Sequence, residues 1–537
     1  MGSDSTQKRS RREVLVFPGK DGDFAIDQDD YIIVSSILLG RKDRREWQDL
    51  VEVEDNHERR VCKLLLEDDT IGLIPSSIVG KLEKLTDLSL RFQYLKSFPP
   101  FIGQLRNLEH LELFELFGCT TCPEEIGNLA NLKKLILKQS DISCLPPSIG
   151  QLRNLEELDL SYNCKLLSLP EEIGNLSKLY RLTLFCCPIK SLPPSIGGLQ
   201  NLQELDLSNT DLLSLPVEIG NLVSLIRLYL SGTCLPPSIG QLRNLEELDL
   251  SYNRKLLSLP EEIGNLSKLY RLTLYCCPIK SLPPSIGGLQ NLQELDLSRT
   301  DLLSLPVEIG NLVSLIRLYL SGTTIKSLPP SIGGLQNLQE LDLSHTDLLS
   351  LPVEMGYLVS LIRLYLSGTT IISLPRPILR LKDIEDLIFS FKVGELPSLP
   401  EELGTLQNLF CLILEDIMCI RKLPEGGYFK LLCNLVKSCR LLGALQVRTK
   451  SPSTEEISAL GFALSCNRLR SKACFLNKAG VSDGEVVKLW PFAIYKVIDG
   501  CNRYTDSDDP LYCSIETIYQ FLCDNKDSLV IYQTTRS

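Results

Sequence analysis

The sequence predicts an α/β solenoid: short parallel strands stacked into a horseshoe, with the β-sheet on the concave face, an N-terminal cap and a helical C-terminal region. Three observations carry that expectation. A hexamer of the form Leu-x-x-Leu-x-Leu recurs along most of the chain. Leucine supplies 108 of the 537 residues and aromatics only 7%, which suits many small cores shared between neighbours better than one large globular core. Between hexamers, a stretch such as Ser-Leu-Pro-Pro-Ser-Ile-Gly-Gly-Leu-Gln-Asn interrupts every strand.

The hexamers, or close variants, start at Val61, Leu85, Leu108, Leu132, Leu155, Leu179, Leu202, Leu225, Leu245, Leu269, Leu292, Leu315, Leu338, Leu361, Ile384 and Leu409. Most steps are 23 or 24 residues; the exceptions are 20, from Leu225 to Leu245, and 25, from Ile384 to Leu409. Inward leucines alternate with outward polar residues, as a short half-buried strand requires. Leu-Pro then ends the strand, and Ile-Gly-x-Leu-x-Asn-Leu brings the chain back through a short helical or irregular arc. One unit cannot bury its own leucines, but a stack can. At about 4.8 Å per strand, fifteen steps give an arc on the order of 70 Å long.

Four regions follow: a flexible charged leader over 1–30, an N-terminal cap over 31–58, about sixteen repeats over 59–425, and a helical capping region over 426–537. A helix from Arg41 to Val51 is expected in the cap. In the C-terminal region, Ser453-Thr-Glu-Glu456 and Ser482-Asp-Gly-Glu485 read as capping boxes, and a final apolar helix is expected from Ser514 to Cys523.

Charge and composition exclude several functions. With 56 basic against 67 acidic side chains the net charge is −11, unlike the basic surface of a nucleic-acid binder, so no nucleic-acid partner is expected. No apolar run approaches a bilayer span, and the first 25 residues lack a secretory signal. Nineteen cysteines without an export signal read as reduced thiols, so the cytoplasm is the expected location. In Cys119-x-x-Cys122 the second thiol occupies a core-leucine slot. With three histidines only (His57, His110 and His345), neither a metal site nor a catalytic triad is expected, and no cofactor.

The hexamers, with Ser, Thr, Asn or Cys at the ninth position, resemble leucine-rich repeats. The Ser-Leu-Pro-x-x-Ile-Gly-x-Leu form is similar to intracellular plant Ras-group leucine-rich repeat proteins, to Ras-binding scaffold proteins and to disease-resistance receptors. The resemblance covers roughly residues 59–425. The tail, with Asn467-Arg-Leu-Arg470 and Trp490-Pro491, is similar to that of algal leucine-rich repeat proteins. Those families share an architecture and not one activity. No Gly-x-x-x-x-Gly-Lys-Ser/Thr is present, so the receptor reading lacks its nucleotide-binding switch.

The ninth-position residues Asn163, Cys187, Thr210, Thr233, Asn253, Cys277, Thr300 and Thr323 are expected to point inward and to bond loop backbone. A duplication overlies the repeats: residues 145–234 and 235–324 differ only at Cys164/Arg254, Phe185/Tyr275, Asn209/Arg299 and Cys234/Thr324. The junction Thr233-Cys234-Leu235 is three residues shorter than its later counterpart, so a tightened turn without an equivalent of Ile325 is expected there.

The third and fifth hexamer residues are expected to line the concave face. The third position reads Glu157, Arg181, Glu204, Arg227, Glu247, Arg271, Glu294, Arg317, Glu340, Arg363, Asp386, alternating in sign at every step. The fifth reads Asp159, Thr183, Asp206, Tyr229, Asp249, Thr273, Asp296, Tyr319, Asp342, Tyr365. Side chains about 5 Å apart let each Arg bridge the carboxylates on both sides. Tyr229, Tyr319 and Tyr365, with Phe185 and Tyr275 beside them, form a row of exposed aromatics of the kind that anchors interfaces. From Glu204 to Tyr365 these charged and aromatic residues, without Thr273, are the candidate partner-binding site.

The expected function is a non-catalytic protein-interaction scaffold in intracellular signalling. It would be monomeric and bind proteins through the concave face, with a small GTPase, a kinase or a phosphatase as candidate partners. One alternative is a leucine-rich repeat-tethered ubiquitin ligase using a tail cysteine (Cys433, Cys439, Cys466, Cys474, Cys501, Cys513 or Cys523); another is an immune-type receptor lacking its switch. Met1-Gly2-Ser3-Asp4-Ser5-Thr6, followed by Lys8, Arg9, Arg11 and Arg12, fits N-myristoylation at Gly2 with a basic cluster, a two-signal membrane anchor and the only expected membrane contact. Gly2→Ala should shift the chain from the membrane to the soluble fraction; identical fractionation of both forms would contradict the anchor.

Overall fold

A computed structural model describes residues 14–18, 23–37, 51–53, 60–67, 81–91, 98, 100–371, 374–390, 406, 408, 411–417, 444–449, 474–475 and 488–489. Gly2, the capping boxes, the final helix and every tail cysteine except Cys474 lie outside them. The chain divides into two units, Met1–Leu256 and Leu257–Ser537.

The first unit opens differently from expectation. Val14–Pro18 pairs antiparallel with Asp23–Asp27, and the helix Gln28–Ile37 follows, so the stretch read as a flexible leader contributes regular structure. Asp27 caps that helix, its Oδ1 accepting from the amides of Asp29 and Asp30 at 3.0 and 3.3 Å. Asp30, fully buried, accepts from Arg60 Nε and Nη2 at 2.8 and 2.7 Å and from the Val61 amide at 2.7 Å. Its hydrogen bonds and charge raise the Arg60 pKa. This pair ties the helix to the first repeat strand. Val51–Val53 then adds an antiparallel edge strand to Val61–Glu67. The expected Arg41–Val51 helix therefore fails at Val51, and residues 41–50 are outside the described set.

Every hexamer of the first unit carries a strand: Val61–Glu67, Asp87–Arg91, His110–Phe114, Lys134–Lys138, Glu157–Asp159, Arg181–Thr183, Glu204–Leu207, Arg227–Leu230 and Glu247–Asp249. All are parallel and stack in sequence order with like positions side by side, Glu204 opposite both Arg181 and Arg227. The second unit repeats the pattern over Arg271–Thr273, Glu294–Asp296, Arg317–Tyr319, Glu340–Asp342, Arg363–Leu366, Asp386–Ser390 and Cys411–Ile417. One more parallel strand, Ala444–Thr449, pairs with Cys411–Ile417 beyond the point where the leucine period stops. The described parts of 426–537 are extended, not helical: Cys474–Phe475 pairs with Lys488–Leu489, inside the stretch expected to be a helix after Ser482.

The returns are tight 3-10 turns of five residues, such as Glu171–Asn175 and Pro194–Gly198. A Pro with extended ψ precedes each of these, their Ile side chain is buried, and the following Leu amide closes onto the Ile carbonyl. Leu202, Leu205, Leu207, Leu212, Ile219 and Leu222 are fully buried. Each such side chain contributes roughly 1.5–3 kcal/mol on leaving water.

Most ninth-position side chains bond backbone as expected. Asn163 donates to the carbonyls of Leu137 and Leu160, both at 2.6 Å; Asn253 donates to Thr233, and Thr210 and Thr300 to Leu207 and Leu297. Cys187 Sγ lies 3.0 Å from the Leu160 carbonyl, and burial pushes its pKa up to about 12. Thr323 is the exception, buried with no partner for its hydroxyl. Cys122 is buried, and desolvation raises its pKa strongly, as a thiol in a leucine slot requires. At the shortened junction Cys234 is drawn into a parallel bridge with Ser214, and Leu235 follows directly with no counterpart of the buried Ile325.

Neighbouring turns touch so closely that a methyl group does not fit between them. A Cβ on Gly310 would lie 2.3 Å from the Ser331 carbonyl oxygen and 2.9 Å from its Cβ. Gly310→Ala should therefore destabilise the second unit by about 1–3 kcal/mol in urea unfolding. An unchanged midpoint would show that the turns can part freely.

Candidate functional site

Alternation along each strand sends the leucines inward and the third and fifth residues of the hexamer to the opposite, strand face. That face is open to solvent: the side chains of Arg181, Arg227, Arg271, Arg317 and Arg363 keep between 37% and 44% of their surface exposed.

In the first unit Glu204 gathers two arginines, while Lys134 pairs with Glu112 at 3.3 Å and Lys138 with Asp159 at 2.6 Å. Glu204 Oε2 accepts from Arg181 at 3.2 Å and from Arg227 at 2.8 Å. Its neighbours are otherwise engaged: the Tyr180 hydroxyl donates to Glu157, and that of Tyr229 to Glu247 at 3.3 Å. In the second unit Glu294 takes Arg271 at 3.2 Å and Arg317 at 2.7 Å, while Glu340 takes Arg363 at 3.0 Å. Arg–Glu–Arg clusters stand at Glu204 and Glu294, and Arg227 and Arg317 each give both Nε and Nη2 to one carboxylate instead of spanning both flanks.

In the fifth-position row, Asp206 lies in register with Thr183 and Tyr229, and Tyr229 with Asp249; Asp342 lies between Tyr319 and Tyr365. Each aspartate accepts the amide two residues on, at 2.9 Å for Asp206 to Ser208 and 2.8 Å for Asp249, Asp296 and Asp342 to Ser251, Ser298 and Ser344. Desolvation raises the Asp206 pKa.

The tyrosines differ from expectation. Tyr229, Tyr319 and Tyr365 face outward but are half-buried, not fully exposed. Burial, followed by the charges of Glu247 at Tyr229 and Glu340 at the other two, pushes all three phenols up to about 12. Tyr275, also half-buried, sits at the strand end with the Arg299 guanidinium 5.6 Å from its ring centroid; Phe185 packs edge-on to Tyr162 at 5.2 Å.

Sequence reasoning missed the Asn that stands just before several hexamers: Asn201, Asn291 and Asn337 reach back to the carbonyls of Ser177, Ser267 and Val313 at 2.7–2.8 Å. It also missed an exposed leucine row on the return side, Leu213 in the first unit and Leu303 and Leu349 in the second, each directly after a buried leucine. The recurrent Asp-Leu-Leu-Ser was the available signal. Among the described residues no group of three or more His, Cys, Asp or Glu is placed to hold a metal ion, and no helix is long and apolar enough to cross a membrane.

A family model described as a leucine-rich repeat region matches residues 171–277 and 307–477, just over half of the chain, and a single-repeat model matches 154–176 and 291–312. Among solved structures, a leucine-rich repeat protein of Leptospira interrogans is 35% identical with a TM-score of 0.60, covering 73% of this chain and 97% of that one. The leucine-rich repeat ectodomain of the membrane receptor kinase GASSHO1/SCHENGEN3 from Arabidopsis thaliana, solved in complex with CASPARIAN STRIP INTEGRITY FACTOR 2, is 26% identical with a TM-score of 0.55. It covers 80% of this chain and 51% of that one. No curated protein matches the sequence.

Raised phenol pKa values tie stability to alkaline pH. Above the ordinary value near 10 the unfolded chain loses phenolic protons that the fold retains up to about 12, so stability falls as pH rises through that window. Urea midpoints at about pH 9 and about pH 11 should diverge less in the Tyr229→Phe/Tyr319→Phe/Tyr365→Phe variant than in the wild type. Equal divergence would mean that these phenols titrate normally.

Proposed function

The chain belongs to the leucine-rich repeat family, and we propose that it is a non-catalytic scaffold that docks a protein partner on its strand face, in the cytoplasm and in signal transduction. Repeats of this family generally mediate protein–protein interaction. The observation that carries the reading is the fifth-position row, where half-buried tyrosines stand beside aspartates on a face whose arginines remain exposed. Such rings lose little conformational freedom on binding and bring large apolar area with a polar tip, the profile of an interface anchor. The plant receptor ectodomain, solved with its bound factor, supports the reading as a relative of similar build. A protein carrying complementary charge suits the mixed rows. A small GTPase, kinase or phosphatase remains the partner class to examine first.

Partners found by proximity labelling in cells should be recaptured by the purified wild-type chain. They should be lost by at least about tenfold from Tyr229→Ala/Tyr319→Ala/Tyr365→Ala, with the far-UV circular dichroism intact. Undiminished capture would move docking to the return side, where Leu213, Leu303 and Leu349 are exposed.

A further inference from the structure

We infer that the strand face of the second unit carries a receptor for one cationic side chain, an arginine or lysine of the docked protein, seated over Asp342 between Tyr319 and Tyr365. The inference rests on the docking reading and adds the chemistry of the anchor.

Three strands in register build the receptor: Tyr319 pairs with Asp342, and Asp342 with Tyr365. Neighbouring strands are about 4.8 Å apart, so the backbone positions of the two tyrosines lie about 10 Å from each other with Asp342 midway between them. A cation over Asp342 lies within about 6 Å of both rings, the range in which a ring face attracts it. One carboxylate with two ring faces offers too few oxygen ligands for Ca²⁺ or Mg²⁺, but it matches the flat, weakly hydrated guanidinium and accepts an ammonium.

The face does not fill this place with its own cations. Among the described residues no Lys or Arg pairs with Asp342, whose Oδ1 accepts only the Ser344 amide at 2.8 Å. The arginines nearest in register are held one row away. Arg317 donates to Glu294 through Nε at 2.9 Å and Nη2 at 2.7 Å, and Arg363 donates to Glu340 at 3.0 Å. Burial first, and then the charge of Glu340, keeps both phenols neutral far above physiological pH, so neither ring places an anion of its own beside the carboxylate. A carboxylate left without a counter-charge on a half-buried face, flanked by two π surfaces, is complementary to a cation and repels an acidic segment.

The test uses the full chain and a fluorescein-labelled hexa-arginine peptide, read by anisotropy at about 0.15 M salt, with hexa-glutamate as the opposite charge. Asp342→Asn keeps an oxygen for the Ser344 amide and should weaken hexa-arginine binding about tenfold. Tyr365→Leu should weaken it about fivefold. Asp301→Asn, an exposed carboxylate off this face, should leave it within about twofold. Thermal unfolding of each variant checks that the fold persists. Wild-type affinity in Asp342→Asn, or an equal loss in Asp301→Asn, overturns the receptor and reduces the binding to general charge attraction. If Asp342→Asn has no effect while the triple tyrosine variant loses its protein partner, the receptor falls and the docking face stands. A triple variant that keeps its partner removes the docking face itself.

Discussion

Hydrogen bonding between successive strands fixes the register of this chain, and nearly every other feature follows from it. Glu204 pairs with Arg181 on one side and Arg227 on the other, and Leu205 with Leu182 and Leu228. A slip of one residue would turn the leucines to solvent and the carboxylates into the core. Because the register holds, whatever stands at one hexamer position meets the same position of the next repeat at about 4.8 Å. Like charges cannot persist at that spacing across many strands, so the third row alternates in sign and resolves into clusters around Glu204 and Glu294.

The same ladder supports local strain. At the eighth hexamer position the backbone turns left-handed, and side chains other than glycine occupy it at Tyr162, Cys186, Asn209, Tyr252, Cys276, Arg299 and His345. A left-handed residue costs of order 1 kcal/mol or more. Here its amide bonds the neighbouring repeat, as Tyr162 does to Phe185 at 2.8 Å and Cys186 to Ser208 at 3.0 Å, so the stack over-determines the conformation. The rim thereby gains side chains that glycine could not supply, and all four differences between the two duplicated halves fall at or beside it: Cys164/Arg254, Phe185/Tyr275, Asn209/Arg299 and Cys234/Thr324.

The repeats were legible because period and polarity repeat together: each of the sixteen hexamers marks a strand, and Asn163, Thr210 and Thr300 turn inward as their position requires. Features set by contacts across the sequence were not. Asp30 and Arg60 lie thirty residues apart and look like two more surface charges until the helix Gln28–Ile37 brings them together in a buried pair. The strand Ala444–Thr449 lies on Leu442-Gly-Ala-Leu445-Gln-Val447, a variant of the hexamer, but it follows Leu409 by a step too long for the period and shows itself only by pairing with Cys411–Ile417. For the strand face, sequence placed each residue in its row. It could not show how deeply the tyrosines are buried, or which carboxylate each arginine selects, because both depend on rotamers chosen among competing neighbours.

Register makes neighbours of like hexamer positions, and changing which positions meet probes that constraint. Deleting residues 292–314, one repeat, would set Arg271 beside Arg317 without Glu294; deleting 292–337, two repeats, would set Arg271 beside Glu340. Melting temperatures measured between about 20 mM and about 500 mM NaCl separate the two. Salt should raise the melting temperature of the one-repeat deletion relative to the two-repeat deletion, since only the former brings guanidinium against guanidinium. Identical salt responses would contradict it.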